Sequence, residues 1–398
     1  MSPKFDVIVV GGGVTGLCTA LHLKQYGVKR VAVLEQHHIG AGQSGRAAGI
    51  VRALVPHAEV SGWQFQSQQY FKSFTEKFGQ PIDVNECGYL LLTSRRDQQR
   101  VDQAIEIANR HGARARCVDA AEAAELQPGI RVDAETFHAF EPGAIHLDPM
   151  PITFAIASAA RQAGVEVFEG CEVGDLLVKR GLVTGVESSD GRFEAPRLMV
   201  ATAAWGTRQL ARVGVEVPVS PHRAEMAFFH VPLSGGHTLR RIVSDGTSQL
   251  YLRPEGVHQM FVGWREGDFI CGPNNLVPED PDNYKQTATY GRLAEMHQRL
   301  ARTLTFMHTG FSHRTYACVY DYSPDGQPVL DRAEDVAGLY FALGFSGGGF
   351  SISPCVGKAM AEFIATGARP ASIEWLRLSR FAEGRMIQWS NSSAEIPV

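Results

Sequence analysis

No stretch of this chain holds 18 or more consecutive apolar residues, so no segment is expected to cross a membrane as a helix. A basic excess is missing too. The 38 Lys and Arg face 42 Asp and Glu, a net charge of −4 without the positive footprint of a nucleic-acid binder. Cysteines are few: seven, at positions 18, 87, 117, 171, 271, 318 and 355. Their number is odd and none forms a CxxC pair, which argues against a disulfide framework or metal cluster and for a reducing compartment. The first residues lack the apolar run and cleavage site of a signal peptide, because Val7 to Val10 leads straight into glycines. A cytoplasmic location is expected. No internal repeat or low-complexity tract is present. With 44% hydrophobic and 20% charged residues the composition is that of a globular protein, and 398 residues exceed one simple core, so two domains are expected.

What is there begins at residue 6. Val7 to Val10 reads as a buried strand, followed by a glycine turn, a helix from Leu17 to Tyr26, a second strand from Val31 to Leu34, and Glu35. Gly11, Gly13 and Gly16 give the GxGxxG spacing of a dinucleotide site. The first glycine permits a tight turn, the second lets backbone approach a pyrophosphate, and the third lets helix pack on strand. The N–H groups at the helix start, including those of Val14 and Thr15, point toward phosphate. Glu35, with Gln36 after it, is placed to accept hydrogen bonds from ribose hydroxyls and would repel a 2′-phosphate. A plain glycine turn in an ordinary α/β protein is the simpler alternative.

Further along, residues 40–57 form an irregular glycine-rich loop, of the kind that usually contacts a ligand. Helical periodicity covers Gln64 to Phe78, Arg96 to His111, Ala120 to Leu126, Pro151 to Ala163 and about Tyr284 to Leu300. Strand patterns cover Tyr89 to Thr93, Val165 to Phe168, Asp175 to Lys179, Val183 to Glu187 and Leu198 to Ala201. In the centre, residues 216–319 carry alternating β patterns at Met226 to His230, Gln249 to Arg253 and Met260 to Trp264. Near the C-terminus the strand Leu339 to Leu343 enters a second glycine turn, and a helix is expected over Cys355 to Thr366. Glycine turns thus sit at both ends with an antiparallel-looking sheet between. That arrangement suits a cofactor longer than NAD held from two sides, such as FAD.

Four segments, in order, resemble the D-amino-acid oxidase superfamily of flavoproteins, in particular its glycine oxidase and sarcosine oxidase branches. They are the opening fingerprint through Glu35; Ser44 to Arg52, similar to a flavin-contacting loop; Val200 to Trp205, similar to the family's "NAAGAW" segment; and the pair Ser323-Pro-Asp-Gly-Gln-Pro328 and Gly344-Phe-Ser-Gly-Gly-Gly349, similar to "PDGxP" and "GFSGxG". The resemblance covers nearly the whole chain. It implies an α/β fold with a discontinuous Rossmann-like FAD domain, set at residues 1–80, 145–215 and 320–398, and a substrate domain on an antiparallel sheet, set at 81–144 and 216–319. FAD is the implied cofactor and no metal is expected. Beyond the fingerprint residues, the expected FAD contacts are Ser44, Gly45, Arg46, Ala48, Gly49, Ile50, Val173, Ala203, Trp205, Cys318, Gly344, Phe345, Ser346, Gly347, Gly348, Gly349, Phe350 and Ser351. The small C-terminal loop suits a flat ring, and its N–H groups with the following helix dipole can stabilise negative charge on a reduced flavin.

In the sarcosine oxidase branch the arginine matching Arg52 binds the substrate carboxylate, a task suited to a bidentate guanidinium. Other family anchors are missing. Tyr320 stands where glycine oxidases carry an arginine, Ser351 where sarcosine oxidases carry a lysine, and the strand His258 to Trp264 holds no lysine for activating oxygen. The carboxylate holders proposed in their place are Arg52 with the hydroxyls of Tyr320 and Ser351, or Arg253 in Tyr251-Leu-Arg253, with His57 near Arg52 in sequence; Arg253 or Arg223 would serve a second carboxylate. Cys318 stands in the context that bonds flavin in monomeric sarcosine oxidases; a covalent link is open, and noncovalent FAD is favoured.

The resemblance implies hydride transfer from the Cα–H of an amine beside a carboxylate to flavin N5, then imine hydrolysis to an oxo acid and an amine, with oxygen reduced to hydrogen peroxide. The preferred partner is an N-substituted glycine such as sarcosine or iminodiacetate. A D-amino-acid or proline-type dehydrogenase feeding a quinone or carrier, and a non-catalytic flavoprotein assembly factor, are the alternatives. Oligomeric state is not legible.

Overall fold

Five parallel strands and one antiparallel edge strand form the sheet that carries the first glycine turn. The computed structural model describes residues 2–233, 235–264 and 280–387. The sheet order is Val329–Arg332, Leu339–Leu343, Leu198–Val200, Val7–Val10, Val31–Glu35 and Val165–Glu169, with only the first pair antiparallel. Val7–Val10 lies at the centre with all four residues buried, as a Val/Ile run covered on both faces must be. Apolar clusters fill both faces. One includes Val7, Val9, Leu17 and Phe363, the other Ile8, Val10, Phe193 and Phe341.

Two helices meet on one face. Val14–Gln25 follows the first glycine turn, and Gly349–Thr366 follows the second. They approach closely because Gly357 has no side chain: a Cβ there would lie 2.5 Å from Cys18 Cβ. The hydroxyls of Thr15 and Ser353 bridge the pair at 3.0 Å. The second helix starts at Gly349, six residues before the start the sequence pattern suggests. Packing against Val14–Gln25 outweighs the weak helix propensity of its glycine. Pro149–Gln162 likewise starts two residues early, because Asp148 caps it by accepting the Met150 N–H at 3.2 Å and Pro149 fits the first turn.

A second, eight-stranded sheet has the order Phe311–Tyr322, Ser220–His230, Gln259–Trp264, Leu250–Glu255, Ile242–Asp245, Tyr89–Ser94, Thr136–Glu141 and Arg116–Val118. It is antiparallel except where Ile242–Asp245 runs parallel to Tyr89–Ser94. Its longest strand, Phe311–Tyr322, runs through the boundary drawn at residue 320, so one continuous strand joins the substrate sheet to the cofactor cavity. A three-stranded antiparallel sheet, Val173–Lys179, Leu182–Ser188 and Gly191–Glu194, flanks the first sheet.

The helix expected from Gln64 to Phe78 is two helices, Ala58–Lys72 and Phe74–Phe78, divided at Ser73. The helix expected from Tyr284 begins only at Tyr290, where Thr289 caps it. Residues 280–289 instead follow the edge strand, with Ala317 N–H donating to Gln286 O at 2.8 Å. Among the described residues no helix is long and apolar enough to cross a membrane, and no cluster of His, Cys, Asp or Glu is arranged to hold a metal. Cys271 lies outside the described residues.

Candidate FAD site

A cavity of about 810 Å³ runs from the first glycine turn to the second. At one end Gly11, Gly13, Val14 and Thr15 line it, beside Glu35 and Gln36. The three glycines have distinct reasons to be there. Gly11 has φ +110°, and a Cβ would come within 2.5 Å of Ala201 O. A Cβ on Gly16, which does not line the cavity, would overlap Gly11 O and push helix off strand. At Gly13 a Cβ would meet only Ser44 Oγ, at 3.0 Å, and would otherwise occupy open cavity. This is a cradle that side chains would fill, and it fits a pyrophosphate. Glu35 is held by the N–H groups of Gly12 at 2.7 Å and His37 at 3.0 Å, an anchored carboxylate on the cavity wall.

The second loop closes over this end. Ser44 Oγ accepts the Val14 N–H at 2.8 Å, capping the helix where phosphate is expected. Arg46 donates to the carbonyls of Ala41 and Gly42, and its own carbonyl accepts from the Tyr316 hydroxyl at 2.9 Å. Ser44 and Arg46 line the cavity; Gly45, Ala48, Gly49 and Ile50 do not. Gly45 lies against Met150, Gly49 has φ +70° with Leu147 O where a Cβ would sit, and Ile50 pairs with His146. Val173, Ala203 and Trp205 form the side wall.

Four wall residues, Pro281, Asp282, Tyr284 and Gln286, were missed from sequence. Asp282 accepts from Trp205 Nε1 at 2.6 Å and from Arg208 at 2.5 Å, while Asp280 pairs with Arg208 at 2.7 Å. Only the Asp-Pro-Asp pattern could have signalled this clasp.

At the far end lie Tyr320, Asp321, Phe345, Gly347, Gly349 and Phe350. A Cβ on Gly347 would sit 3.1 Å from the Tyr320 ring, so the glycine lets the turn lie flat on it. Asp321, also missed, organises this turn. Its carboxylate accepts the Gly344 N–H at 2.7 Å and the Phe345 N–H, and its carbonyl accepts the Ser346 N–H at 3.0 Å. Gly348 N–H bonds to Phe345 O at 2.9 Å. The expectation that the whole loop offers its N–H groups therefore needs correction. The amides of 344 to 346 are consumed by Asp321, whereas those of Gly347 and Gly349 make no hydrogen bond among the described residues. The free amides lie at the helix start, where the dipole is positive. Gly344, Ser346, Gly348 and Ser351 do not line the cavity. Ser351 Oγ accepts from Gln64 at 2.8 Å and donates to Gly348 O at 3.0 Å, so its hydroxyl braces the helix start.

The sequence-predicted substrate residues divide. Tyr320, Tyr251, Tyr316, Ala48 and Cys318 pack in one cluster with Met226, Phe228 and Phe261. The hydroxyls of Tyr320 and Tyr251 are hydrogen-bonded, and burial pushes the Tyr320 phenol well above its ordinary value. Cys318 does not line the cavity; burial raises its thiol to about 12, against the lowering pull of Arg46. Arg253 is 5% exposed, donates through Nε to Ala48 O at 2.6 Å and is ion-paired with Glu255. Arg52 is 7% exposed, donates to Leu54 O at 2.8 Å and stacks on Tyr89. Its charge is balanced by Glu141, which is wholly buried, raised by desolvation, and also bound to Ala53 N, Leu54 N and Gln68. Arg223 pairs with Glu225 at 2.6 Å and donates to Lys285 O. His57 lies apart from this group, stacked on Trp375 at 4.9 Å and paired with Glu59 at 3.2 Å.

Beneath the second turn Asp325, the acid of the "PDG" motif, is gripped by Arg380 through Nε at 2.8 Å and Nη2 at 2.9 Å, both side chains almost fully buried. The motif's acid thus fastens the C-terminal segment and does not line the cavity.

Comparison with known proteins points to the same cofactor. The chain is 28% identical over 411 residues to sarcosine oxidase subunit beta of Rhizobium meliloti (strain 1021), covering 99% of this chain and 92% of that one. It is 26% identical to monomeric sarcosine oxidase of Bacillus sp. (strain NS-129), covering 96% and 98%. The solved structure of L-proline dehydrogenase from P. horikoshii superposes with a TM-score of 0.86 at 25% identity, covering 97% of this chain and all of that one. The model of the family described as DAO, FAD dependent oxidoreductase, matches residues 6–363, and the chain belongs to that family.

Proposed function

We propose that this flavoenzyme oxidises an amine that carries a carboxylate on the adjacent carbon, with an N-substituted glycine such as sarcosine or iminodiacetate as substrate. The observation that carries the reading is the grouping packed behind the far end of the cavity, of which Tyr320 lines it. Tyr320 forms its wall, its hydroxyl is bonded to Tyr251, and Arg253 holds the carbonyl of Ala48 in the same cluster. FAD supplies the two-electron acceptor when bound. The chain's residues hold, orient and dehydrate. Gly11, Gly13 and the start of Val14–Gln25 receive the pyrophosphate, and Glu35 receives the ribose. The amides of Gly347 and Gly349 face the end where negative charge develops. Arg52 and Arg253 are the cations proposed to orient the carboxylate, and the buried tyrosines keep water from the reacting carbon. Asp321, the acid in the wall at this end, has its carboxylate tied to the amides of Gly344 and Phe345, which suits an amine bound in neutral form. The peroxide product and cytoplasmic location belong to this proposal.

The second reading is a proline-type dehydrogenase delivering electrons to a quinone or carrier. It is favoured by the likeness to L-proline dehydrogenase and by the absence of lysine from Gln259–Trp264. Anaerobic bleaching of the purified protein's yellow colour against sarcosine, iminodiacetate, glycine and proline, followed by admission of oxygen, tests both. Bleaching by an N-substituted glycine with stoichiometric peroxide supports the first reading. Bleaching by proline without peroxide supports the second, and no bleaching by any amine removes both.

A further inference from the structure

Of the acids that line the cofactor cavity, Asp321 at its far end has no part in the proposed reaction. Asp321 sits in its wall on the strand Phe311–Tyr322, 4% exposed. Its side chain has no ion-pair partner among the described residues; its bonds run to the backbone of the Gly344–Ser346 turn. That turn leads directly into Gly347 and Gly349, whose free amides open the helix Gly349–Thr366. A single carboxylate therefore braces the surface meant for the flavin ring and places an ionisable charge behind it.

We propose that Asp321 is a positioning residue that takes up a proton when the cofactor is reduced, coupling the redox state of the flavin to the charge under the glycine turn. The inference rests on the FAD reading above. Two electrons and one proton go to the flavin, which becomes anionic; a second proton passes from water to the Asp321 carboxylate. The reason is Coulombic. Reduction adds negative charge near a buried carboxylate, and two like charges in a low-dielectric site cannot both persist cheaply. Desolvation already lifts this carboxyl to about 6, against the pull of the amide N–H groups, so only a modest further push is required. Its surroundings offer little opposition. Tyr322 on the same strand feels the Asp321 charge, with His222 edge-on to Tyr322 at 5.3 Å. Asp325 in the following turn is neutralised by Arg380. Arg46 and Arg208 line the same cavity but do not lower Asp321. The glycine turn itself brings no titratable group.

The test is the reduction potential of the FAD-loaded protein, measured against redox dyes from pH 5 to 9, with the absorbance of the reduced form recorded throughout. The expected wild-type result is two protons per two electrons from about pH 6 upward, giving way to one at higher pH, while the reduced spectrum stays anionic across the break. In Asp321→Asn the uptake is expected to be one proton throughout. If that variant fails to hold FAD, Asp321→Glu keeps an acid and is expected to move the break along the pH axis. A wild-type line of one proton per two electrons over the whole range overturns the proposal, as does a break that survives unmoved in either variant or coincides with a change to the neutral reduced spectrum. Those outcomes leave the FAD reading standing; a protein that takes up no FAD overturns both.

Discussion

The two ends of the cavity are built in opposite ways. The end at the first glycine turn, proposed for the adenine half, lies close in sequence: Gly11, Gly13, Glu35 and Ser44 fall within 34 residues, and each acts through a turn or through a side-chain oxygen bonded to a backbone amide. The other end, proposed for the flavin, combines the second glycine turn with a cluster of side chains packed behind Tyr320 from distant parts of the chain. Tyr251, Tyr320 and Ala48 meet in one cluster, and Asp321 reaches Gly344 across 23 positions. A backbone site tolerates changes in surrounding side chains but not added bulk at its glycines. A side-chain site is open to variation, which is how one cofactor cradle serves many amines.

Breaking the foundation of the flavin end has the largest expected effect. Arg380→Met leaves Asp325 as an unpaired buried carboxylate, and removing one partner of such a pair costs about 3–5 kcal/mol. Thermal unfolding of the apoprotein reads the loss; Arg380→Met together with Asp325→Leu is expected to recover much of it. Next comes the adenine end. Gly11→Ala forces a non-glycine residue to φ +110° against Ala201 O and is expected to cost about 1–3 kcal/mol and abolish ADP binding. Gly13→Ala is expected to leave stability nearly unchanged while weakening ADP binding, and calorimetry on the two variants separates strain from contact. Arg52→Met sharpens the comparison from the substrate side. A lost charge-assisted hydrogen bond of about 1.5–3 kcal/mol raises KM for a carboxylate-bearing amine by about 10- to 100-fold. FAD content is expected to stay constant, and an unchanged KM would shift the anchor to Arg253. The smallest effect is expected at the cavity mouth. Arg208→Ala removes exposed pairs with Asp280 and Asp282, worth under about 1 kcal/mol, so FAD dissociation quickens only a few-fold, and the difference shrinks at high salt.

This contrast also explains what could be read before the structure. The fingerprint from Val7 to Glu35 was legible because every determinant is local: a strand, three glycines at fixed spacing, a helix and an acid. The α/β fold with its antiparallel second sheet followed from periodicity and resemblance together. Asp321 escaped because a lone acid on a strand has no pattern, and Asp282 because its Asp-Pro-Asp context names no partner; only tertiary contact with Gly344 or Trp205 gives each a task. His57 was misleading for the converse reason. It lies five positions from Arg52, yet it stacks on Trp375, far along the chain. The early helix start at Gly349 was hidden because glycines read as a loop, whereas packing on the first helix decides the matter.

The contact of Gly357 with Cys18 has a temporal consequence. One side of the first helix stays uncovered until Gly349–Thr366 exists, and the central sheet lacks a neighbour for Leu198–Val200 until Leu339–Leu343 has been made. Closure of the cofactor cavity is therefore expected to wait for contacts between segments far apart in sequence. Nascent chains halted before that point would display an uncovered apolar helix for chaperones to guard.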